Sequence, residues 1–137
     1  MIEFQNIGCD LKINKEDFSC WLNEIIIEEN NMLGHIVYVF CDDDYLLAKN
    51  IKYLNHNTLT DVITFDYSKD KLISGDILIS IDRVNENSNT FEVQFLYELQ
   101  RVMAHGLLHL LGYNDKTEKE EKEIRKKEDY YLKKIFN

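Results

Sequence analysis

Two histidines four residues apart, His105 and His109, stand in an otherwise leucine-rich run, HGLLHLLGYND, that continues through Gly112 to Asp115. A single histidine on an apolar helix face is more often a hydrogen-bonded core residue than a ligand. The pair reads differently. On a helix, an i, i+4 spacing puts both rings on one face with Cβ atoms roughly 5–6 Å apart. Two imidazole nitrogens bound to one tetrahedral zinc lie only about 3.3 Å from each other, which side chains leaning together reach from that spacing. A straight helix cannot bring a third ligand to the same point, because each further residue recedes by about 1.5 Å. Gly112 lets the chain reverse, and Asp115 is then placed to return a carboxylate. The pattern H-x-x-x-H-x-x-G-x-x-D therefore predicts a metal site made by His105, His109 and Asp115.

The residue between the two histidines limits the chemistry. In zinc peptidases that use two histidines at this spacing, the residue after the first is a glutamate acting as general base. Here it is Gly106. A peptide-cleaving mechanism would need its base from elsewhere, so a metallopeptidase-like hydrolase is the second reading. The glycine also removes bulk beside the first ligand, which allows another element to approach closely.

These residues need a frame. Ile2 to Ile7 alternates as a strand, and Asn14 caps a helix to about Glu29 whose inner face carries Phe18, Trp21, Leu22, Ile25 and Ile26. His35 to Phe40 is β-branched and reads as a second strand. The run Asp42, Asp43, Asp44 opens a helix to about Leu54, with its carboxylates at the positive end of the helix dipole. Asp61 to Tyr67 and Asp76 to Ile81 read as two further strands, and SKDKLISG between them as a hairpin connection. From about Thr90 the period becomes 3.6, and Phe91, Phe95, Leu96, Leu99, Val102, Met103, Leu107, Leu110 and Leu111 describe a helix apolar on more than one face, hence centrally buried. Thr117 with Glu120 forms a capping box for a last, charged helix to about Ile135. The expected fold is α/β (α+β): a mixed sheet of about four strands around a long buried helix that carries the histidines.

The whole chain is read as one domain, since 137 residues can bury a core without a disulfide or metal. Its 45% hydrophobic and 30% charged residues are those of a globular protein, with no apolar run long enough for a membrane span and no secretory leader. Cys9, Cys20 and Cys41 are odd in number and widely spaced, which suits free thiols in the cytoplasm. The net charge of −9 argues against generic polyanion binding. That charge is uneven: from Lys116 to Lys134 eight basic residues outnumber six acidic ones, so a nucleic acid would meet a patch.

At this point the sequence resembles a known family, the YbeY endoribonucleases of ribosomal RNA maturation and ribosome quality control. The family signature H-G-x-L-H-L-x-G-Y-D-H is followed from His105 through Tyr113. The family's T-D-V-L-S-F block is similar to Thr60 through Phe65, and its G-D-I block matches Gly75-Asp76-Ile77. The resemblance implies metal-assisted hydrolysis of a phosphodiester in single-stranded RNA. It implies Zn2+, one per chain, while the carboxylate of Asp115 as a ligand keeps another divalent transition metal such as manganese as the alternative. It implies ribosomal RNA as substrate and the small subunit or its proteins as further partners; no membrane partner is expected, for want of a membrane-length apolar run. Two departures stand out. The last two signature positions, Asp then His, are Asn114 and Asp115 here, so three histidines become two and a carboxylate, a set zinc accepts. Family members also commonly carry an arginine and a proline before the threonine, where KYLNHNTLTD has Leu54 and Leu59; His56 is the candidate to take over the arginine's role.

No side chain stands out as catalytic beyond water activated by the ion. Asp61, Asp76 and His56 are the candidates, the two aspartates as carboxylates that could orient a ligand histidine through its second nitrogen. Each aspartate reads more simply as a turn or strand-end cap, and Thr60 as a loop hydroxyl that satisfies backbone. The last helix reads as a solvated face laced with ion pairs. Its Lys126, Lys127, Lys133 and Lys134 are candidates for RNA contact, and Tyr130 and Tyr131 for base stacking or plain packing. A third reading is a ribosome-associated binding protein whose metal is structural.

Overall fold

The structure is a computed structural model that describes residues 1–135. The elements run β1 (Ile2–Ile7), α1 (Lys15–Glu28), β2 (Met32–Cys41), α2 (Asp43–Leu54), β3 (Val62–Asp66), β4 (Leu72–Ser80), α3 (Ile81–Thr90), α4 (Phe95–Leu110) and α5 (Glu118–Leu132). The four strands form one mixed sheet in the order β1-β2-β4-β3, with β1-β2 and β2-β4 parallel and β3-β4 antiparallel. No helix is long and apolar enough to cross a membrane among the described residues.

Side chains alternate across the sheet and so define its two faces. Ile36, Tyr38, Phe40, Ile73, Ile77 and Ile79 pack beneath α1, α4 and α5 in the main core. Val39, Cys41, Ile63 and Leu78 point the other way, against Leu46 of α2. The central helix α4 is anchored from below by the buried Tyr38 hydroxyl, which donates to the Met103 carbonyl at 2.8 Å. The indole of Trp21 donates to the Tyr131 carbonyl at 2.9 Å and ties α1 to α5. Gly106 lets α4 settle onto the sheet: a Cβ there would lie 2.7 Å from the Ile77 methyl Cγ2 and 3.4 Å from Val62 Cγ2.

Local chemistry explains most boundaries. Asn14 caps α1 through Asp17 N–H, Asp42 caps α2 through Tyr45 N–H, and Thr117 and Glu120 form the reciprocal capping box of α5. Three expectations need correction. The residues between β4 and the central helix form a separate helix, α3, with Phe91 as its C-cap, so the central helix begins at Phe95 rather than near Thr90. Phe91 and Leu96 are consequently exposed. The reason is composition: IDRVNENSNT is rich in poor helix formers, and it is held by the Ser80 cap and by Val84 and Ser88, four residues apart and buried. Strand β4 begins at Leu72, so LISG is strand and the hairpin turn is confined to Lys69 through Leu72, with Asp70 in the left-handed region at φ 55°. Finally, α5 ends at Leu132, three residues short of Ile135.

Candidate metal centre

The last turns of α4 place His105 and His109 side by side, half-buried, with ring centroids 4.5 Å apart. The helix then ends in a Schellman arrangement: Gly112 N–H donates to the His109 carbonyl at 3.1 Å and Tyr113 N–H to the Leu108 carbonyl at 3.0 Å. Gly112 takes φ 102°, which an L side chain rarely adopts. That reversal brings Asp115 back over the histidine face. Its Oδ2 lies 3.3 Å from His105 Nε2 and 3.4 Å from His109 Nε2, and the two Nε2 atoms are 2.9 Å apart. These three residues form a group whose donor atoms are close enough to hold one metal ion.

The far sides of the rings determine what the near sides can do. His109 Nδ1 lies 2.9 Å from the Tyr113 carbonyl, which can only accept, so Nδ1 carries the hydrogen. His105 Nδ1 lies 2.7 Å from Glu128 Oε2, a carboxylate that likewise accepts. Both Nε2 atoms are then lone pairs in the neutral rings, and both face a carboxylate oxygen. While both rings are neutral, three acceptors converge with no hydrogen among them, an arrangement suited to a cation, either a metal ion or the proton that His105 takes up. The donor set of two imidazoles and one carboxylate is one that zinc takes.

Glu128 is the residue that the sequence alone did not reveal. It comes from α5, is 1% exposed, and is held from its other side by Arg101 Nη1 at 2.9 Å. Arg101 is in turn clamped by both oxygens of the buried Glu98. Burial pushes the Glu128 carboxyl upward, but the hydrogen bonds and charges of His105 and Arg101 outweigh it and hold the group below the ordinary glutamate range. Burial pulls His105 down, while Glu128 first and then Asp115 and Asp61 push it above the usual histidine value. In TEKEEKEIRKKEDYYLKK the surrounding charges disguise Glu128 as surface. A signal existed nonetheless: Ile124, Glu128 and Tyr131 recur at helical spacing and are all buried, so the glutamate lies on the inner stripe.

The other candidates fall in different places. Asp61 precedes β3 and accepts from Asn87 Nδ2 at 3.2 Å; burial raises its carboxyl pKa, with the charges of His105 and Arg101 acting against that. Asp76 lies on the sheet face turned away from α4, because its neighbour Ile77 meets Gly106, and its carboxylate accepts from the Tyr67 hydroxyl. The nitrogen that either aspartate was expected to orient is bonded to Glu128 instead. His56 is exposed after the left-handed C-cap of α2, with its backbone N–H on the Asn50 carbonyl. Thr60 Oγ1 reaches the Val62 carbonyl at 3.5 Å. Several basic and aromatic residues of α5 and the turn after it bind the C-terminal end of α1 and its cap instead of facing outward: Lys127 pairs with Glu29, Lys134 with Glu28, and Tyr131 is buried with its hydroxyl on Glu29. Tyr131 thus has no ring face to offer a base, and Tyr130 donates to Glu28 at 2.6 Å while packing edge-on against Tyr131.

Fold and site together define a class: a mixed α/β protein in which one central helix and the turn behind it present two imidazoles and a carboxylate to a single point. The family model described as Endoribonuclease YbeY matches residues 3–136, and the chain belongs to that family. Relatives named Endoribonuclease YbeY include one from Flavobacterium psychrophilum, 52% identical over 134 residues that span 97% of this chain and 95% of the relative. Another, from Amoebophilus asiaticus, is 50% identical over 87% of this chain and 82% of the relative. The solution structure of a Thermotoga maritima protein superposes with a TM-score of 0.71 at 29% identity, covering 99% of this chain and 89% of that one.

Proposed function

We propose that this chain is a metal-dependent endoribonuclease that cleaves single-stranded RNA in ribosomal RNA maturation and ribosome quality control in the cytoplasm. His105, His109 and Asp115 are the ligands of one zinc ion. The observation that carries the reading is the convergence of three acceptor atoms, with both histidine Nδ1–H groups already committed to Tyr113 and Glu128. Membership of the endoribonuclease family supports the substrate class. When bound, a divalent cation supplies Lewis acidity toward a phosphoryl oxygen and toward the attacking water. The protein does the positioning. Glu128 holds His105 in the tautomer whose Nε2 is free to ligate, and the Tyr113 carbonyl does the same for His109. The side chain of Asp115 is 41% exposed, which leaves the outer side of the site open to an incoming RNA. Having a carboxylate where an imidazole would be neutral lowers the charge of the site by one unit, which favours harder ions such as manganese somewhat more.

The peptidase alternative meets a steric obstacle. A side chain at position 106 starts toward Ile77 and the sheet, not toward the cleft, so a glutamate base has no room there. Elemental analysis of protein purified without added metal, followed by cleavage of single-stranded RNA by wild type, His109→Ala and chelated protein, tests the proposal. Stoichiometric zinc and cleavage by untreated wild type alone are expected. Equal cleavage by all three would point to a contaminating nuclease and overturn it. Bound metal with no cleavage at all would favour a ribosome-associated binding protein.

A further inference from the structure

One of the three arginines of the chain has no hydrogen-bond partner among the described residues, and it lines the groove that reaches His105 and Asp115 of the metal centre. Arg83 is bonded to Asp43, and Arg101 spends its donors on Glu98 and Glu128. Arg125 makes only a long ion pair, Nη1 to Glu128 Oε1 at 3.9 Å. That oxygen is already taken by Arg101 at 2.9 Å, so the Arg125 fork keeps its donors free. Its side chain is 54% exposed.

The groove of about 400 Å³ runs between α4 and α5 and is lined by Arg101, His105, Asp115, Lys122, Arg125 and Glu128. Lys122 lies one turn before Arg125 on α5, so both cations stand on the same helix face. Lys122 is held only by an exposed pair with Glu118 at 3.4 Å, the kind of contact that is worth little and is readily exchanged. Three carboxylates line the same groove: Glu128 is held by Arg101 and His105, Asp115 faces the histidine nitrogens, and Glu121 is the one an anion at Arg125 would have to avoid. Arg101 cannot serve, because an anion would have to displace one of its two buried carboxylates.

We propose that Arg125, assisted by Lys122, forms a phosphate subsite that grips the RNA backbone beside the phosphodiester presented to His105, His109 and Asp115. Planar guanidinium donors match phosphate oxygens in pairs, and the compact ammonium adds attraction without direction. An acidic protein thereby gathers a polyanion through one local patch while the rest of its surface repels it. The proposal rests on the endoribonuclease reading for its substrate and adds where that substrate is held.

The test uses metal-loaded protein and a labelled single-stranded RNA oligonucleotide, with Arg125→Gln, Lys122→Gln, the double variant and Arg125→Lys. KM for the double variant rises about tenfold, the combined effect of losing the guanidinium contact and the weaker attraction of the exposed ammonium, while kcat changes less than about twofold and metal content stays at the wild-type level. The slope of log K against log salt for RNA binding shrinks by about 0.7 for each charge removed, about 1.4 in the double variant. Arg125→Lys restores the slope and only part of KM, because charge is kept and the fork is lost. Unchanged KM and salt slope in the double variant overturn the subsite, even if wild type cleaves RNA normally. A fall in kcat together with metal content also overturns it, since Arg125 would then act through Glu128 on the centre. If wild type binds RNA with an Arg125-dependent slope yet never cleaves it, the subsite stands and the nuclease reading fails.

Discussion

Replacing Glu128 by glutamine changes one atom and should disable the metal centre through hydrogen-bond logic alone. The carboxylate accepts from His105 Nδ1 at 2.7 Å and from Arg101 Nη1 at 2.9 Å, and in a 1% exposed position neither donor can turn to water instead. A glutamine amide keeps one acceptor and gains a donor. The guanidinium cannot deprotonate, so the amide oxygen stays with Arg101 and the NH2 faces His105. His105 Nδ1 must then accept, its hydrogen moves to Nε2, and the lone pair that points at Asp115 and His109 is lost. Loss of such an orienting partner typically weakens metal affinity by about 10- to 100-fold, or about 1.4–2.7 kcal/mol. Arg101 keeps both bonds to Glu98, so the fold survives, at a cost of about 1–3 kcal/mol for the weakened buried contact. Competition titration with a chromophoric chelator measures the affinity, thermal unfolding of the chelated protein measures the stability, and ring nitrogen chemical shifts report the tautomer. Affinity within twofold of wild type, with Nδ1 still protonated, would refute the argument that Glu128 sets the ligating nitrogen.

Four further outcomes are expected. Gly106→Ala places a methyl 2.7 Å from Ile77 Cγ2 and costs about 1–3 kcal/mol of overpacking, partly offset by about 1 kcal/mol of helix propensity; urea unfolding reads the net loss, and Gly106→Glu unfolds the domain without conferring peptide cleavage. Gly112→Ala must adopt φ 102° and should lose about 1–2 kcal/mol together with metal affinity, because the bend that returns Asp115 is strained; an unchanged chelator titration would contradict this. Chelation should lower the melting temperature of wild type by the equivalent of about 2.7 kcal/mol at metal a hundredfold above its dissociation constant, and leave Asp115→Ala far less affected in differential scanning fluorimetry. Partial burial pushes Glu29 up, but bonds from Tyr113, Tyr131 and Lys127 hold it below the usual glutamate range. The stability this adds is therefore complete above the unfolded-state value and disappears as pH falls through the lower folded value. Denaturant midpoints measured from neutral to acid pH should show that acid limb flattened in Glu29→Gln.

What could be read along the chain was the chemistry that is local in sequence. His105, His109, Gly112 and Asp115 lie within eleven residues, and helix pitch plus one left-handed residue suffice to bring the three donor groups together, so spacing alone predicted their convergence. Caps at Asn14 and Thr117, the acidic start of α2 and the alternation in β1 were legible for the same reason, since each is set by near neighbours in the chain. Tertiary structure decided the rest. Helix α3 exists because Val84 finds the main core, against the propensity of its asparagines. The faces of Asp76 and Ile77 could not be told from DILISI, because β4 is covered on both sides and apolar residues occupy both. Glu128 joins His105 across twenty-three residues, and Arg125 reaches the groove only because α5 lies back against α4. The pairing that selects which nitrogen can bind a metal is a long-range contact between two charges, and no local periodicity records which buried glutamate a distant imidazole will meet.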